Sequence, residues 1–348
     1  MHTDTPRSGR PFDLRTLAMP VVVAPMAGGP STPALAAAVS AAGGLGFLAA
    51  GYKTADAVRR EIEAVRALTQ SPFGVNVFVP RPSTADEEAL ATYARSLEAD
   101  AAALGAALGA PRHDDDDWSN KIDVLLDLAP AVASFTFDLP ERNALAALQH
   151  AGIAVVQTVT SRAEADRAVA AGVDALVVQG PEAGGHRGTF DPLAEPGTAS
   201  LLELLDDLRE LGIPLIAAGG IVGGEGTREA LAHGAIAVQA GTAFLRADEA
   251  GTKPAHRAAL ATDDFGETAL TRAFSGRYAR ALLSDFIRDH DAGAPPAYPE
   301  VHHLTAPLRA AAAAAGDPHR LSLWAGVNVH RTMAGSAAAL VRSLLPSG

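Results

Sequence analysis

The chain has 348 residues, 48% of them hydrophobic and 20% charged, with a formal net charge of −12 and no cysteine. That size and apolar content supply a sizeable core, and one large domain carrying an insertion accounts for the length better than two equal domains. The acidic balance and the lack of any Lys/Arg-rich block argue against nucleic acid as a partner, and the missing thiols exclude disulfides, thiolate catalysis and cysteine-ligated metal.

Arg7, Arg10 and Arg15 precede the apolar run from Leu17 to Ala27 and imitate a secretory leader. Asp4 and Asp13 in the basic part, and Pro20 and Pro25 in the apolar part, argue against it, and the same residues serve as the first strand. No residue from Thr16 to Tyr52 is charged, but Pro25, Pro30, Pro33 and the Gly28-Gly29 and Gly43-Gly44 pairs prevent a spanning helix of ~20 residues. A soluble, cytoplasmic protein without a membrane partner is expected.

From there short β-branched runs alternate with alanine-rich segments of helical length, the pattern of parallel strands joined by crossover helices. The runs are Val21 to Ala24, Leu45 to Ala49, Gly74 to Val79, Ala131 to Phe135, Ala154 to Val159, Ala175 to Gln179, Pro214 to Ala217 and Ala235 to Ala240. Most are continuously apolar, as strands covered on both faces must be. Ser31 or Thr32 with Pro33 opens the first helix, Thr54 with Asp56 the second, and Ser161 with Glu164 reads as a capping box. Gly43, Gly152, Gly172 and Gly234 stop helices directly before strands. Eight strands close a TIM (β/α)8 barrel, the α/β fold class expected here.

Two stretches interrupt the repeat. Residues 81–120, with His113 and the acid run Asp114 to Asp117, read as a solvated connecting segment and not as a metal site. Residues 246–321 read as a helical insertion near the C-terminal face that forms part of the substrate pocket, supplying an apolar wall. Residues 1–245 and 322–348 then form the barrel domain, with Trp324 to Leu345 as its closing helix.

The chemistry-bearing signals all follow strands. Ala24-Pro25-Met26-Ala27-Gly28-Gly29 is an uncharged loop against which a flat ligand can lie. Asn76 interrupts an apolar strand, and a buried amide must find partners or cost ~1–3 kcal/mol. Gln179 ends the sixth strand and leads into Gly-Pro-Glu-Ala-Gly-Gly-His-Arg-Gly, where Gly184 and Gly185 permit close backbone approach and His186 is the side chain most easily titrated near neutrality. After strands seven and eight, Gly219-Gly220 and Gly241-Thr242 expose backbone N–H groups where barrels of this fold bind phosphate. A phosphate at one end and amides at the other suit flavin mononucleotide, whose ring edge carries both donors and acceptors. His302, His303 and Tyr298 read as packing or surface residues, Ser275 to Arg277 as a segment that orders the insertion, and Glu182 as a partner for a nearby arginine.

Over most of its length the chain resembles the nitronate monooxygenases, through APMAGG, STPALAAAVSAAGGLG, PFGVNVFVP, QGPEAGGHRG, AAGGI with GAIAVQAGTAF, and SGRYAR. The resemblance implies an FMN-containing TIM barrel in which Asn76, Gln179, Gly184, Gly219, Gly220, Gln239, Ala240, Gly241 and Thr242 bind FMN, Met26 lies beside the ring and His186 is catalytic. It implies oxidation of a nitronate, or of a nitroalkane, by O₂ to a carbonyl compound and nitrite, with His186 acting either on the anion's charge or as a general base. Asp138, Val327 and Asp285 depart from the family pattern and are expected to alter pocket polarity. A related FMN barrel reducing enoyl thioesters or quinones with NADH would use the same contacts. A non-flavin barrel acting on a phosphorylated metabolite, or a non-catalytic sensor of a phosphorylated ligand, would share only the phosphate loops.

Overall fold

The computed structural model describes residues 11–346, so Asp4, Arg7 and Arg10 of the leader-like segment lie outside the described residues. All eight expected strands form: β1 (Val21–Val23), β2 (Gly46–Ala49), β3 (Phe73–Phe78), β4 (Val132–Thr136), β5 (Ala154–Val159), β6 (Ala175–Gln179) and, after a short strand β7 (Gly185–His186) outside the barrel, β8 (Leu215–Ala218) and β9 (Ala237–Ala240). They pair in parallel in the order β2-β3-β4-β5-β6-β8-β9-β1. Val23 N–H donates to Leu45 O at 3.0 Å and Leu45 N–H to Val21 O at 2.9 Å, which closes the barrel.

The crossover helices are α1 (Pro33–Ala41), α2 (Ala55–Leu68), α3 (Glu87–Ser96), α4 (Glu98–Ala103), α5 (Trp118–Leu128), α6 (Arg142–His150), α7 (Arg162–Ala171), α8 (Leu201–Leu208) and α9 (Gly224–Ala232). Val58, Ile62 and Val65 recur at helical spacing and bury one face of α2 against the barrel. Thr32 and Thr54 cap their helices as expected. Ser161 makes only half of its expected box, because the Glu164 carboxylate reaches past it to Thr160 N–H at 2.6 Å and Phe190 N–H at 2.8 Å. The complete box is Ser200 with Glu203, at the start of α8.

After β9 come α10 (Pro254–Ala259), β10 (Thr268–Thr271), β11 (Ala279–Leu282), α11 (Asp285–His290), α12 (Glu300–Ala315) and α13 (Ala337–Ser343). The insertion is thus not wholly helical: β10 and β11 form an antiparallel hairpin, and β11 pairs in turn with β7, Ala279 opposite His186. Short strands with one wet edge lack the long apolar run that marks the barrel strands. The expected closing helix is also shorter than residues 324–345, because the chain first crosses the barrel mouth in irregular form and only then packs Ala337, Leu340 and Val341 onto the core.

Residues 81–120, expected as a solvated connecting segment, are largely exposed but also carry buried anchors. Leu90, Tyr93 and Leu97 share an apolar core with Phe274, Phe286, Val301, Leu304 and Leu308 of the insertion, each such side chain contributing ~1.5–3 kcal/mol on burial. The acid run clamps its surroundings. Asp116 accepts from Tyr52 N–H at 2.9 Å and pairs with the fully buried Lys121 at 2.8 Å, Asp117 accepts from Ala55 N–H at 2.7 Å, and Asp114 meets His303 Nε2 at 2.8 Å. Burial pushes the Asp116 carboxyl up to about 6 despite Lys121.

Candidate active site

A cavity of about 250 Å³ opens where the C-terminal ends of the barrel strands meet the insertion. All eleven site residues read from the sequence line it: Met26, Asn76, Gln179, Gly184, His186, Gly219, Gly220, Gln239, Ala240, Gly241 and Thr242. They come from five strand ends, and barrel closure alone brings them together.

The two amides are held differently. Asn76 Nδ2 donates to Ser134 Oγ at 2.9 Å and Thr136 Oγ1 at 3.1 Å, leaving Oδ1 without a partner among the described residues. Gln179 is committed to its own loop: Nε2 donates to His186 O at 2.9 Å and Oε1 accepts from Gly188 N–H at 2.9 Å. It therefore shapes the His186 loop and has one N–H left for a ligand. Gly184 is required there by close approach, since a Cβ would stand 2.5 Å from Ala325 C and Gly326 N.

At the other end, Gly219 and Gly220 have φ of +141° and +67°, which turns the chain sharply after β8. A single 3-10 turn over Thr242–Phe244 begins at Gly241 with no side-chain cap, leaving its first N–H groups open. Thr242 Oγ1 accepts from Gly326 N–H at 2.9 Å, so its hydroxyl proton remains to donate. Asn328 Nδ2 holds Gly220 O at 2.7 Å. The open backbone amides and the free hydroxyl proton are donors of the kind that a phosphate requires.

His186 sits in an aromatic box of Phe137, Tyr298 and Trp324, with ring centres 5.7, 5.8 and 5.4 Å away. Its Nε2 lies 2.8 Å from Ser275 Oγ. Burial, reinforced by the Arg277 and Arg309 charges, lowers its pKa to about 3, so the imidazole is neutral at pH 7.

Sequence reading missed most of the insertion's contribution. Lys253, His256, Phe274, Ser275, His302, Arg309 and Leu321 all line the cavity, which makes this wall cationic and not simply apolar. Arg309 Nη2 donates to His302 O at 3.0 Å and lies 3.2 Å from His302 Nδ1. His256 is buried with Nε2 unpartnered, and burial lowers its pKa to about 4. Of these, Ser275 and His302 stood out in the sequence but not as cavity residues, and Trp324 and Gly326, just after the insertion, also line the cavity.

Asp138, Val327 and Asp285 do not touch it. Asp138 pairs with Arg81 and Arg167, Asp285 is exposed beside Arg288 and His319, and Val327 donates its N–H to Glu182 O at 3.1 Å with its side chain outside the cavity lining. The expectation that these departures change pocket polarity is therefore corrected. Glu182 is also outside the cavity lining; it accepts from Leu201 N–H at 3.2 Å, and its charge acts on the nearby Arg187 and Arg280 without a direct hydrogen bond.

The family model described as nitronate monooxygenase matches residues 12–347. The chain belongs to the nitronate monooxygenase family. Nitronate monooxygenases of Paraburkholderia phytofirmans and Pseudomonas aeruginosa are each 42% identical to it, covering 93% and 94% of this chain and 88% and 95% of theirs. Among solved structures, the nitroalkane oxidase of Streptomyces ansochromogenes superposes with a TM-score of 0.90 at 48% identity, over 94% of this chain and 95% of that one. FabK from Thermotoga maritima gives 0.73 at 26% identity, over 95% and 93%. This family member is a flavin-dependent oxidoreductase, and its family acts on small nitro compounds. Among the described residues no helix is long and apolar enough to cross a membrane.

Proposed function

We propose that this nitronate monooxygenase family member holds FMN in the cavity and oxidises nitronates with O₂ to a carbonyl compound and nitrite. The observation that carries the reading is the charge of the lining. In a chain of net charge −12, the cavity is lined, among the described residues, by Lys253 and Arg309 and by no aspartate or glutamate. Such a site favours anions, and it offers a cradle for a phosphate and cations for a nitronate.

The phosphate of FMN would rest on Gly219, Gly220, Gly241 and Thr242, with Gln239 and Ala240 beneath, Met26 and Gly184 against the ring, and Asn76 and Gln179 at its polar edge. A bound flavin supplies the electron-accepting chemistry that no side chain here possesses. Lys253 and Arg309 attract and orient the anion. His186, neutral and boxed, does not supply positive charge; it presents a ring nitrogen that accepts a hydrogen bond or a proton. Because protonation beside Arg277 and Arg309 is disfavoured, an already deprotonated nitronate suits the site better than a neutral nitroalkane.

The test is to extract and identify the flavin, then to follow oxygen uptake and nitrite release with propionate 3-nitronate and short alkyl nitronates. FMN with nitrite formation is expected. Protein that takes up no FMN, or that releases no nitrite while NADH bleaches its flavin anaerobically, would overturn the assignment.

A further inference from the structure

We propose that Ser275 is a positioning residue that fixes His186 in the tautomer with Nε2 protonated and Nδ1 presented as an acceptor. The inference deepens the reading of the cavity as a nitronate-oxidising site and rests on it only for the kinetic consequence.

Ser275 is 1% exposed and sits in the turn between β10 and β11. Its Oγ has three neighbours: His186 Nε2 at 2.8 Å, Arg277 O at 3.2 Å and Arg277 N–H at 3.4 Å. A carbonyl can only accept, and no other donor reaches Arg277 O among the described residues. The one hydroxyl proton therefore goes to Arg277 O, and Oγ receives Nε2–H from the imidazole. Nδ1 then carries the lone pair. It has no partner among the described residues and is not sealed from the cavity.

The turn that holds Ser275 is itself anchored. Arg277 is 2% exposed, donates to Thr189 O and lies 3.9 Å over the Phe137 ring. Pairing of Ala279 with His186 fixes the backbone register on both sides of the contact. Phe137, Tyr298 and Trp324 block rotation of the ring, so the serine selects a tautomer for a ring that cannot turn to find another partner. The charged and titratable groups facing the ring are Arg277, Arg309, His302 and Tyr298. None of them substitutes for the hydroxyl at Nε2.

The test is ¹⁵N NMR of the full chain labelled at histidine, with and without FMN, the His186 signals being assigned by their loss in His186→Asn. A neutral ring with Nε2 protonated is expected at pH 7. Ser275→Ala should give an exchanging mixture of tautomers, Ser275→Thr should restore the single form, and kcat for neutral nitroalkane should fall about tenfold more than kcat for nitronate in the alanine variant alone. A wild-type ring protonated at Nδ1, or a Ser275→Ala spectrum identical to wild type, would overturn the proposal. The wild-type spectrum decides even if the alanine variant does not fold. Absence of nitronate oxidation with the Nε2–H form present would remove the functional reading and leave this one standing.

Discussion

The imidazole of His302 lies flat against the Tyr52 phenol, ring centres 3.9 Å apart and planes 5° from parallel, joining the loop after β2 to helix α12 across the cavity mouth. Arg309 leans on the same imidazole through its Nη2. The stack therefore holds Arg309, the cation proposed to receive the substrate anion. Arg309→Leu is expected to lower kcat/KM for nitronates by ~10- to 150-fold, the loss of a charged hydrogen bond worth ~1.5–3 kcal/mol. His302→Ala and Tyr52→Ala should raise KM by less, through a loosened Arg309. Steady-state kinetics with one nitronate checks this, and an unchanged KM in Arg309→Leu would remove Arg309 from the binding role.

His186→Asn keeps an amide of similar reach but no basic lone pair, so it separates acid–base work from packing. Turnover of a neutral nitroalkane should fall at least ~100-fold, within the range for a lost general base, and more than turnover of the matching nitronate. FMN should be retained. Equal losses with both substrates would show that the imidazole acts on a step common to them, not on the α-proton.

Gly184→Ala introduces a Cβ 2.5 Å from the backbone of Ala325 and Gly326, with no flexible side chain to yield. Overpacking of that kind costs ~1–3 kcal/mol and displaces the loop that carries His186. Thermal unfolding should show a lower Tm, and ultrafiltration should show loss of FMN. Gly197→Ala, where a Cβ meets nothing within 4 Å, serves as the control and should match the parent protein.

The barrel is readable in the sequence because strands buried on both faces leave unbroken apolar runs, as in Ala154–Val159, and because glycines such as Gly172 mark the helix stops. The eleven lining residues are readable because ten lie in the last residues of a strand or in the loops that follow, and Asn76 breaks an apolar strand with an amide. Arg309 is not, since within an alanine-rich helix nothing local distinguishes it from an arginine facing solvent. Only the packing of Leu304 and Leu308 against Leu90 and Tyr93 turns that face inward. Asp116 and Asp117 misled for the same reason: an acid run looks solvated until the buried Lys121 and the open N–H groups of Tyr52 and Ala55 are placed beside it. Ser275 pointed to the insertion's order, and its contact with His186 depends on a pairing across the chain that no local pattern reveals.

One buried imidazole, His256, and two half-buried ones at the cavity, His186 and His302, give the fold a pH dependence of determinate sign. Burial first, and neighbouring cations second for His186 and His302, hold His186, His256 and His302 at about 3, 4 and 2, below the ordinary 6.5. As pH falls through 6.5 the unfolded chain takes up protons on all three while the native protein does not, so stability is lost on acidification. Asp116 opposes this: its carboxyl titrates at about 6 when folded and 3.8 otherwise, so the native state holds the extra proton between those values. The histidines outnumber it, leaving a net difference of about two protons and a slope of at most ~2.7 kcal/mol per pH unit between about pH 6 and 4. Asp117 and Glu203, both lowered by hydrogen bonds, add loss of the same sign at still lower pH. Tm should therefore be level above about pH 7 and fall steadily below about 6, and His302→Phe, which keeps a ring against Tyr52, should flatten the fall. A Tm constant from pH 7 to 4.5 would mean that these imidazoles take up protons as readily in the folded protein as in the unfolded chain.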